Sequence, residues 1–293
     1  VKTLYMQHSI SKTLREETEE CVLALGFFDG VHIGHRKLIR TAKEIANQKK
    51  ITFAVMTFYP HPKEVVSPSD GPMKYLTPLK VKEERFKNMG VEKLIVVKFD
   101  PVFARLSNQE FVETYIIGFC CKHVVAGFDY HYGYKGRGNM QLLKEQGQNK
   151  FEVTTIPKIE HRHHKISSTA IRKLLSHGAT HDIPNYLGDY YEIRGIVQKS
   201  SLFYETYRFI EVFVEQDYML PVPGVYHIVV EIDQIFYKGV CQQIKEQQLL
   251  LQLSNCPIDV LNKQVKVKWI QSIFGNANVY DINRYVLLDH LAI

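Results

Sequence analysis

Cysteine is scarce: the chain has five, an odd number without framework spacing, and a single tryptophan. That excludes a small disulfide-stapled scaffold and fits a reducing compartment. No stretch reaches the ~20 apolar residues of a membrane-spanning helix, and the opening residues carry no apolar signal-peptide core. The expectation is a cytoplasmic protein with no membrane partner. Charge of one sign is not concentrated either, since 37 basic and 31 acidic residues are dispersed and leave a net charge of +6. That balance helps attract small anions and argues against a nucleic-acid partner. With 293 residues the chain is long for one core and comfortable for two domains.

What is present is organised around VLALGFFDGVHIGHRKLIR, residues 22 to 40. Val22 to Leu25 suits a buried strand of a parallel sheet. Leu38, Ile39, Ala42, Ile45 and Ala46 recur at helical spacing. The glycine-rich turn between them therefore joins a strand end to a helix N-terminus, where unpaired amides and the helix dipole favour phosphate. Gly26, Gly30 and Gly34 let backbone approach a ligand. His32 and His35 stand at the mouth of the helix as H-x-G-H, placed to donate to charge that develops on a phosphate. Two histidines near a helix start can also be simple capping or solvated groups.

Strand and helix patterns then alternate. ITFAVMTF (51 to 58) is a second strand, closed by Pro60 and Pro62 around His61, which is either a site residue or a surface loop histidine. Residues 63 to 79 are rich in Pro, Ser and Gly and read as a mobile excursion. Leu79 to Met89 is a charged helix, LIVVKF (94 to 99) a third strand, and Asn108 to Phe119 an amphipathic helix with Asn108 as its cap. Cys120 and Cys121 read as packing at its end. After a strand at 123 to 128 comes GFDYHYGYKGRGN, a loop with faces for planar rings, in which Asp129, Tyr130 and Tyr132 are the candidates. FEVTTI (151 to 156) is a fifth strand. Ser167 to Thr169 cap a further helix that carries Arg172 one turn in, a second arrangement suited to pyrophosphate. His161, His163 and His164 lack the cysteine or carboxylate that would complete a metal site, and read as a cationic approach to a triphosphate.

These segments carry a family resemblance. GFFDGVHIGH resembles the G-x-F-D-G-V-H-x-G-H signature of bacterial FAD synthetases, the adenylyltransferase half of the bifunctional riboflavin kinase and FAD synthetase proteins. TFYPHP is similar to the family's T-F-x-P-H-P, the 127 to 139 loop to its G-x-D-F-x-F-G segment, and ISSTAIR to its I-S-S-T-x-I-R. The resemblance implies ATP binding by Gly26, Phe27, Phe28, Gly34, His35, Ser168, Thr169 and Arg172. It implies flavin binding by His61, Pro62, Asp129, Tyr130 and Tyr132, a flap at 63 to 79 over the flavin, and catalysis by His32, His35 and Arg172. ATP and FMN would be the substrates, with Mg²⁺ bridging phosphates. Phe27 fills a variable position that is often Asn in the family.

DIPNYLG, residues 182 to 188, marks a boundary, after which six short strand patterns suggest a closed antiparallel barrel with a terminal helix at 281 to 293. YEIRGIV and LPVPGVYHI resemble the riboflavin kinase barrel, but its G-R-x-x-G-x-P-T-A-N loop is replaced by QKSSLFYETYRFIEV, and LLLQLS lacks the expected glutamate. The expectation is an α/β fold: a Rossmann-like HxGH nucleotidyltransferase domain over 1 to 184, then a smaller β-barrel over 185 to 293 whose kinase motifs are degenerate. FMN adenylyl transfer is the expected activity. A bifunctional enzyme, another adenylyl- or cytidylyltransferase, and a non-enzymatic flavin or nucleotide sensor are the alternatives.

Overall fold

The computed structural model describes residues 1–7, 18–67, 71–203, 207–214, 217–256 and 259–275. The expected terminal helix at 281 to 293 lies outside them, as do three residues of the expected flap. The chain forms two compact units, Val1–Ile166 and Ser167–Ile293.

In the first unit, β1 (Lys2–Met6), β2 (Cys21–Leu25), β3 (Thr52–Tyr59), β4 (Lys93–Lys98), β5 (Cys121–Gly127) and β6 (Glu152–Ile156) form one sheet in the order β1-β4-β3-β2-β5-β6. Every pairing is parallel. All five β2 residues are buried: Cys21, Leu23 and Leu25 join one core cluster, and Val22 and Ala24 the other. A strand covered on both faces needs this unbroken apolar run. Helix α1 (Ile33–Lys49) buries Leu38, Ile39, Ala42 and Ala46, as its spacing requires. The chain steps outward from β2 to β3 and β4, then returns to set β5 against β2 on the other side. That reversal creates a crevice at the carboxyl ends of β2 and β5.

Three details depart from expectation. β1 was not anticipated; it is an edge strand whose outward Tyr5 is 66% exposed, so it lacks a fully apolar pattern. The helix starting at Asn108 is capped by Ser107, whose Oγ accepts the Glu110 amide in a reciprocal box with the Glu110 carboxylate. It also leaves α geometry, passing through a wide turn at Val112–Ile116 and a tight one at Ile117–Phe119. Cys120 and Cys121 follow, and Cys121 is buried at the start of β5 with its thiol pKa raised well above the ordinary value by burial.

After α4 (Asn108–Phe111) and α5 (Met140–Gly147) of the first unit, the second unit holds α6 (Ser168–Ser176), α7 (Pro184–Leu187) and six strands that match the sequence pattern. β9 (Tyr191–Phe203), β10 (Tyr207–Val214), β11 (Gly224–Ile232), β12 (Ile235–Lys245), β13 (Gln248–Ser254) and β14 (Gln264–Gly275) close as β10-β13-β12-β11-β14-β9. Alternation fills the interior: Ile210, Val212 and Val214 of β10 and Leu249, Leu251 and Leu253 of β13 are all at most 1% exposed. Trp269 packs edge-on against Tyr226 at 5.1 Å.

Gly239 marks the tightest inter-strand approach, since a Cβ there would stand 2.2 Å from the Gln252 carbonyl oxygen. Gly239→Ala is therefore expected to lower barrel stability by about 1–3 kcal/mol. The sole tryptophan, Trp269, lies in the barrel and reports it directly. An unchanged urea midpoint in tryptophan fluorescence would refute the close approach.

Candidate functional site

The site begins where β2 ends. Leu25 pairs with Ala126, so the loops after β2 and β5 leave the sheet side by side at the topological switch. Gly26 is required because a Cβ there would stand 2.9 Å from the Phe28 ring. The next residues turn sharply: Phe28, Gly30 and Val31 take φ of 57°, 82° and 45°. Two of these are not glycine, so the turn is strained and must be held. Asp29, 2% exposed, accepts the amides of Leu76 and Thr77 at 3.2 and 3.0 Å. Arg85 donates to the Gly30 carbonyl at 3.1 Å and Arg36 to the Val31 carbonyl at 3.2 Å. The Phe27 carbonyl receives Thr57 Oγ1 at 2.9 Å and Lys82 Nζ at 2.8 Å.

The turn delivers His32 as the N-cap of α1, its Nδ1 accepting the His35 amide at 3.2 Å. A neutral His32 therefore carries its proton on Nε2, which is left to donate. The two imidazoles stack at 3.6 Å, 14° from parallel. Burial pushes the His32 pKa down to about 4, outweighing the pull of Asp29 and Asp129, and Lys165 adds to the push. His35 is lowered well below its ordinary range by burial, then by His32 and Lys82. Its Nδ1 is enclosed without a hydrogen-bond partner, and its ring meets Phe28 edge-on at 5.2 Å. Gly34 lies in the first helical turn beside them.

Around this centre the flavin candidates are arranged differently. His61 caps α2 (Pro62–Val66), with Pro62 at the first helical position; His61 Nδ1 accepts the Lys63 amide and its ring stands edge-on to Phe27 at 4.2 Å. Tyr75 hydrogen-bonds Glu64 of the same turn. Asp129 is exposed and ion-paired with Lys165, whose ammonium lies 4.8 Å from the Phe128 ring centroid. Tyr130 is partly buried and stacks on Tyr132 at 6.2 Å. Tyr132 is itself a core residue, with its hydroxyl donating to Gln146 and its ring 5.2 Å from Phe111. It supports the loop from beneath.

Ser168, Thr169 and Arg172 belong to the second unit, in the first two turns of α6. Ser167 caps that helix, its Oγ accepting the Ala170 amide at 3.2 Å. Arg172 lies near Met219, with Nη1 3.5 Å from its sulfur. Among the described residues no group of three or more His, Cys, Asp or Glu could hold a metal, and the 161 to 164 histidines form a two-stranded turn, β7 (Glu160–His161) with β8 (His164–Lys165).

Sequence reasoning passed over Asp29, Lys82 and Lys165. Asp29 lies inside GFFDGVHIGH. Lys165 directly precedes ISST, and Lys82 hides in a run of charge that reads as a solvated face.

The FAD synthetase family profile matches residues 14–170. The chain is 36% identical to a bifunctional riboflavin kinase/FMN adenylyltransferase of Bacillus subtilis (strain 168), covering 93% of this chain and 90% of the relative. It is 32% identical to an FAD synthetase of Listeria monocytogenes serovar 1/2a (strain ATCC BAA-679 / EGD-e), covering 72% of this chain and 82% of that protein. Among solved structures it is similar to a macrolide-efflux protein from Streptococcus pneumoniae, with a TM-score of 0.82 and 27% identity over 98% of this chain and 95% of that one.

The lowered His32 pKa has a stability consequence. The unfolded chain, with an ordinary imidazole near 6.5, takes up the proton before the fold does at about 4. The contribution of neutral His32 is thus whole above about pH 6.5 and gone below about pH 4, at most about 3 kcal/mol. His32→Asn keeps a capping acceptor but removes the titrating group. Its urea midpoint is expected to fall less than that of the wild type between pH 7 and pH 5; equal falls would show that His32 does not carry the dependence.

Proposed function

We infer the chemistry from a plain premise: this chain belongs to the FAD synthetase family. It is an FMN adenylyltransferase, a nucleotidyltransferase that makes FAD. The observation that carries the mechanism is the pair of stacked, neutral histidines at a helix N-terminus on the switch point of a parallel sheet.

An oxygen of the FMN phosphate attacks the α-phosphorus of ATP in line. The new bond joins the two phosphorus atoms through that oxygen, and the bond from the α-phosphorus to the bridging oxygen breaks, releasing pyrophosphate. No covalent enzyme intermediate is needed. His32, its Nδ1 occupied, donates from Nε2 to charge building on the α-phosphate, and His35 stands behind it at stacking distance. Gly26, Phe27, Phe28 and Gly34 provide the nucleotide cradle, while Ser168, Thr169 and Arg172 are assigned to the leaving pyrophosphate. His61, Pro62, Asp129 and Tyr130 form the flavin side, with Tyr132 as support. The work is positioning and electrostatics more than acid-base chemistry.

Mg²⁺ is assigned to arrive with the nucleotide. It characteristically keeps waters and substrate phosphates with one or two carboxylates rather than an all-protein cage, which suits a site with one exposed carboxylate, Asp129, and no cluster of ligands among the described residues. When bound it neutralises phosphate charge.

The active domain is assigned to residues 1 to 184 and the barrel to 185 to 293, with kinase activity lost. What supports the loss is that the interval expected to hold a phosphate loop is, over its described residues, a paired antiparallel ladder. β9 and β10 pair from Tyr207↔Phe203 to Val214↔Gly195, broken only by a bulge at Glu211/Val212. Glycines that bring backbone to phosphates have no place in such a ladder. A bifunctional enzyme is the second reading, favoured by the name of the Bacillus subtilis relative, which is similar over nine-tenths of this chain.

Offering FMN and riboflavin separately, each with ATP, separates these readings. FAD is expected from FMN, and no FMN from riboflavin. Robust FMN formation would restore the bifunctional reading, and absence of pyrophosphate release with either substrate would favour a sensor. His32→Ala is expected to lower turnover about 100-fold, by analogy with loss of one oxyanion donor, and His35→Ala by a similar factor through loss of the ring that orients His32. Near wild-type rates in both would remove their assigned role.

A further inference from the structure

Lys82, on α3 (Leu79–Asn88), is 1% exposed although its helix is otherwise highly charged. An ammonium is costly to bury unless something replaces its water. Its hydrogen bond and its ring contact are both made to one residue. Nζ donates to the Phe27 carbonyl at 2.8 Å and lies 4.2 Å from the centroid of the Phe27 ring. The same carbonyl accepts Thr57 Oγ1 from β3, and the ring is met by His61 at 4.2 Å and more distantly by Tyr75 at 6.2 Å. Phe27 immediately precedes Phe28, the first left-handed residue of the turn. Anything that fixes both the carbonyl and the ring of Phe27 fixes the direction in which the turn sets out.

We propose that Lys82 is a positioning residue for adenylyl transfer: its buried ammonium clamps the Phe27 carbonyl and ring together, and so sets where His32 and His35 stand. The role rests on the adenylyltransferase reading and deepens it. It also explains how the chain accommodates an aromatic residue at this variable loop position, since the ring serves as one jaw of the clamp. The clamp is charge-dependent. Asp29 from the loop favours the cation, while His35 of α1 lies close enough to feel its charge; Arg85, one turn on, is engaged with Gly30 and Thr77. Burial pushes the amine down to about 8 against the pull of Asp29. A neutral amine still donates to the carbonyl but loses the attraction to the ring.

The test is steady-state FAD formation from ATP and FMN, across pH 6.5 to 9.5, by wild type, Lys82→Met, Lys82→Arg and Phe27→Leu. Lys82→Met is expected to lower kcat about 10- to 100-fold, the scale of a misplaced catalytic group. The wild type should show an alkaline limb near pH 8, which Lys82→Arg abolishes because guanidinium keeps its charge. Phe27→Leu, by removing the ring that favours the cation, should move that limb to lower pH. A Lys82→Met enzyme within twofold of wild type, or a limb shared unchanged by wild type, Lys82→Arg and Phe27→Leu, overturns the clamp. Should Lys82→Met not fold, the other three profiles decide. A wild type that forms no FAD overturns the adenylyltransferase reading itself, a result distinct from an active wild type with an indifferent Lys82.

Discussion

The two hydrogen bonds from the amides of Leu76 and Thr77 to the buried carboxylate of Asp29 hold the loop after β2 in shape. Phe28 and Val31 occupy left-handed backbone without being glycine, at roughly 1–3 kcal/mol each. Hydrogen bonds to a charged acceptor contribute about 1.5–3 kcal/mol apiece, so the pair at Asp29 is of the size needed to offset that strain. Burial adds to the hold, because Phe28 is fully enclosed and packs edge-on against Phe86 and His35. Without the Asp29 bonds the turn would relax toward ordinary backbone angles, and the helix that His32 caps would start elsewhere.

The histidine pair follows from that placement. At a 3.6 Å ring separation, two imidazolium charges would repel by about 4–5 kcal/mol even at an effective dielectric of 20. Burial lowers both pKa values, and the neutral pair is the form the site selects. Neutral imidazole suits the proposed chemistry, since a donor that carries no charge of its own does not bind ground-state phosphate so tightly that the gain in the transition state is lost. The same neutrality lets the rings stack, which fixes their orientation before a substrate arrives.

Much of this was legible in the sequence because it is local. The strand-turn-helix at 22 to 49 and the six barrel strands follow from periodicity and breakers, and the structure places them where the patterns do. Strand order is another matter: nothing local says that β5 returns beside β2, and that return puts the loop after β5 next to the loop after β2. Lys82 failed to announce itself for a related reason. In LKVKEERFKN a lysine looks solvated, and only tertiary packing puts this one beneath Phe27. Asn108 lost the cap to Ser107 because the reciprocal box with Glu110 satisfies two donors where a lone Asn satisfies one. The sequence allows His32 either a capping or a chemical role, and capping is what fixes its tautomer. The structural and chemical readings of that residue are one.

The two units therefore answer differently to the loss of a motif. A closed barrel has no free edge only while its strands pair along their length, and its interior is filled by inward residues that a phosphate loop does not supply. In the proposed reading, a paired β9–β10 ladder in place of such a loop adds hydrogen bonds and leaves the core untouched. In the proposed reading, kinase chemistry could thus disappear without endangering the fold. The first unit has no comparable freedom. Its loop is strained in the very residues that present His32, and the groups that hold it, Asp29, Lys82 and Arg85, are otherwise costly to bury or order. Relaxing the loop would remove the reason for those buried charges, and keeping them without the loop would destabilise the domain. Fold and the proposed chemistry in this unit are coupled through the same few hydrogen bonds.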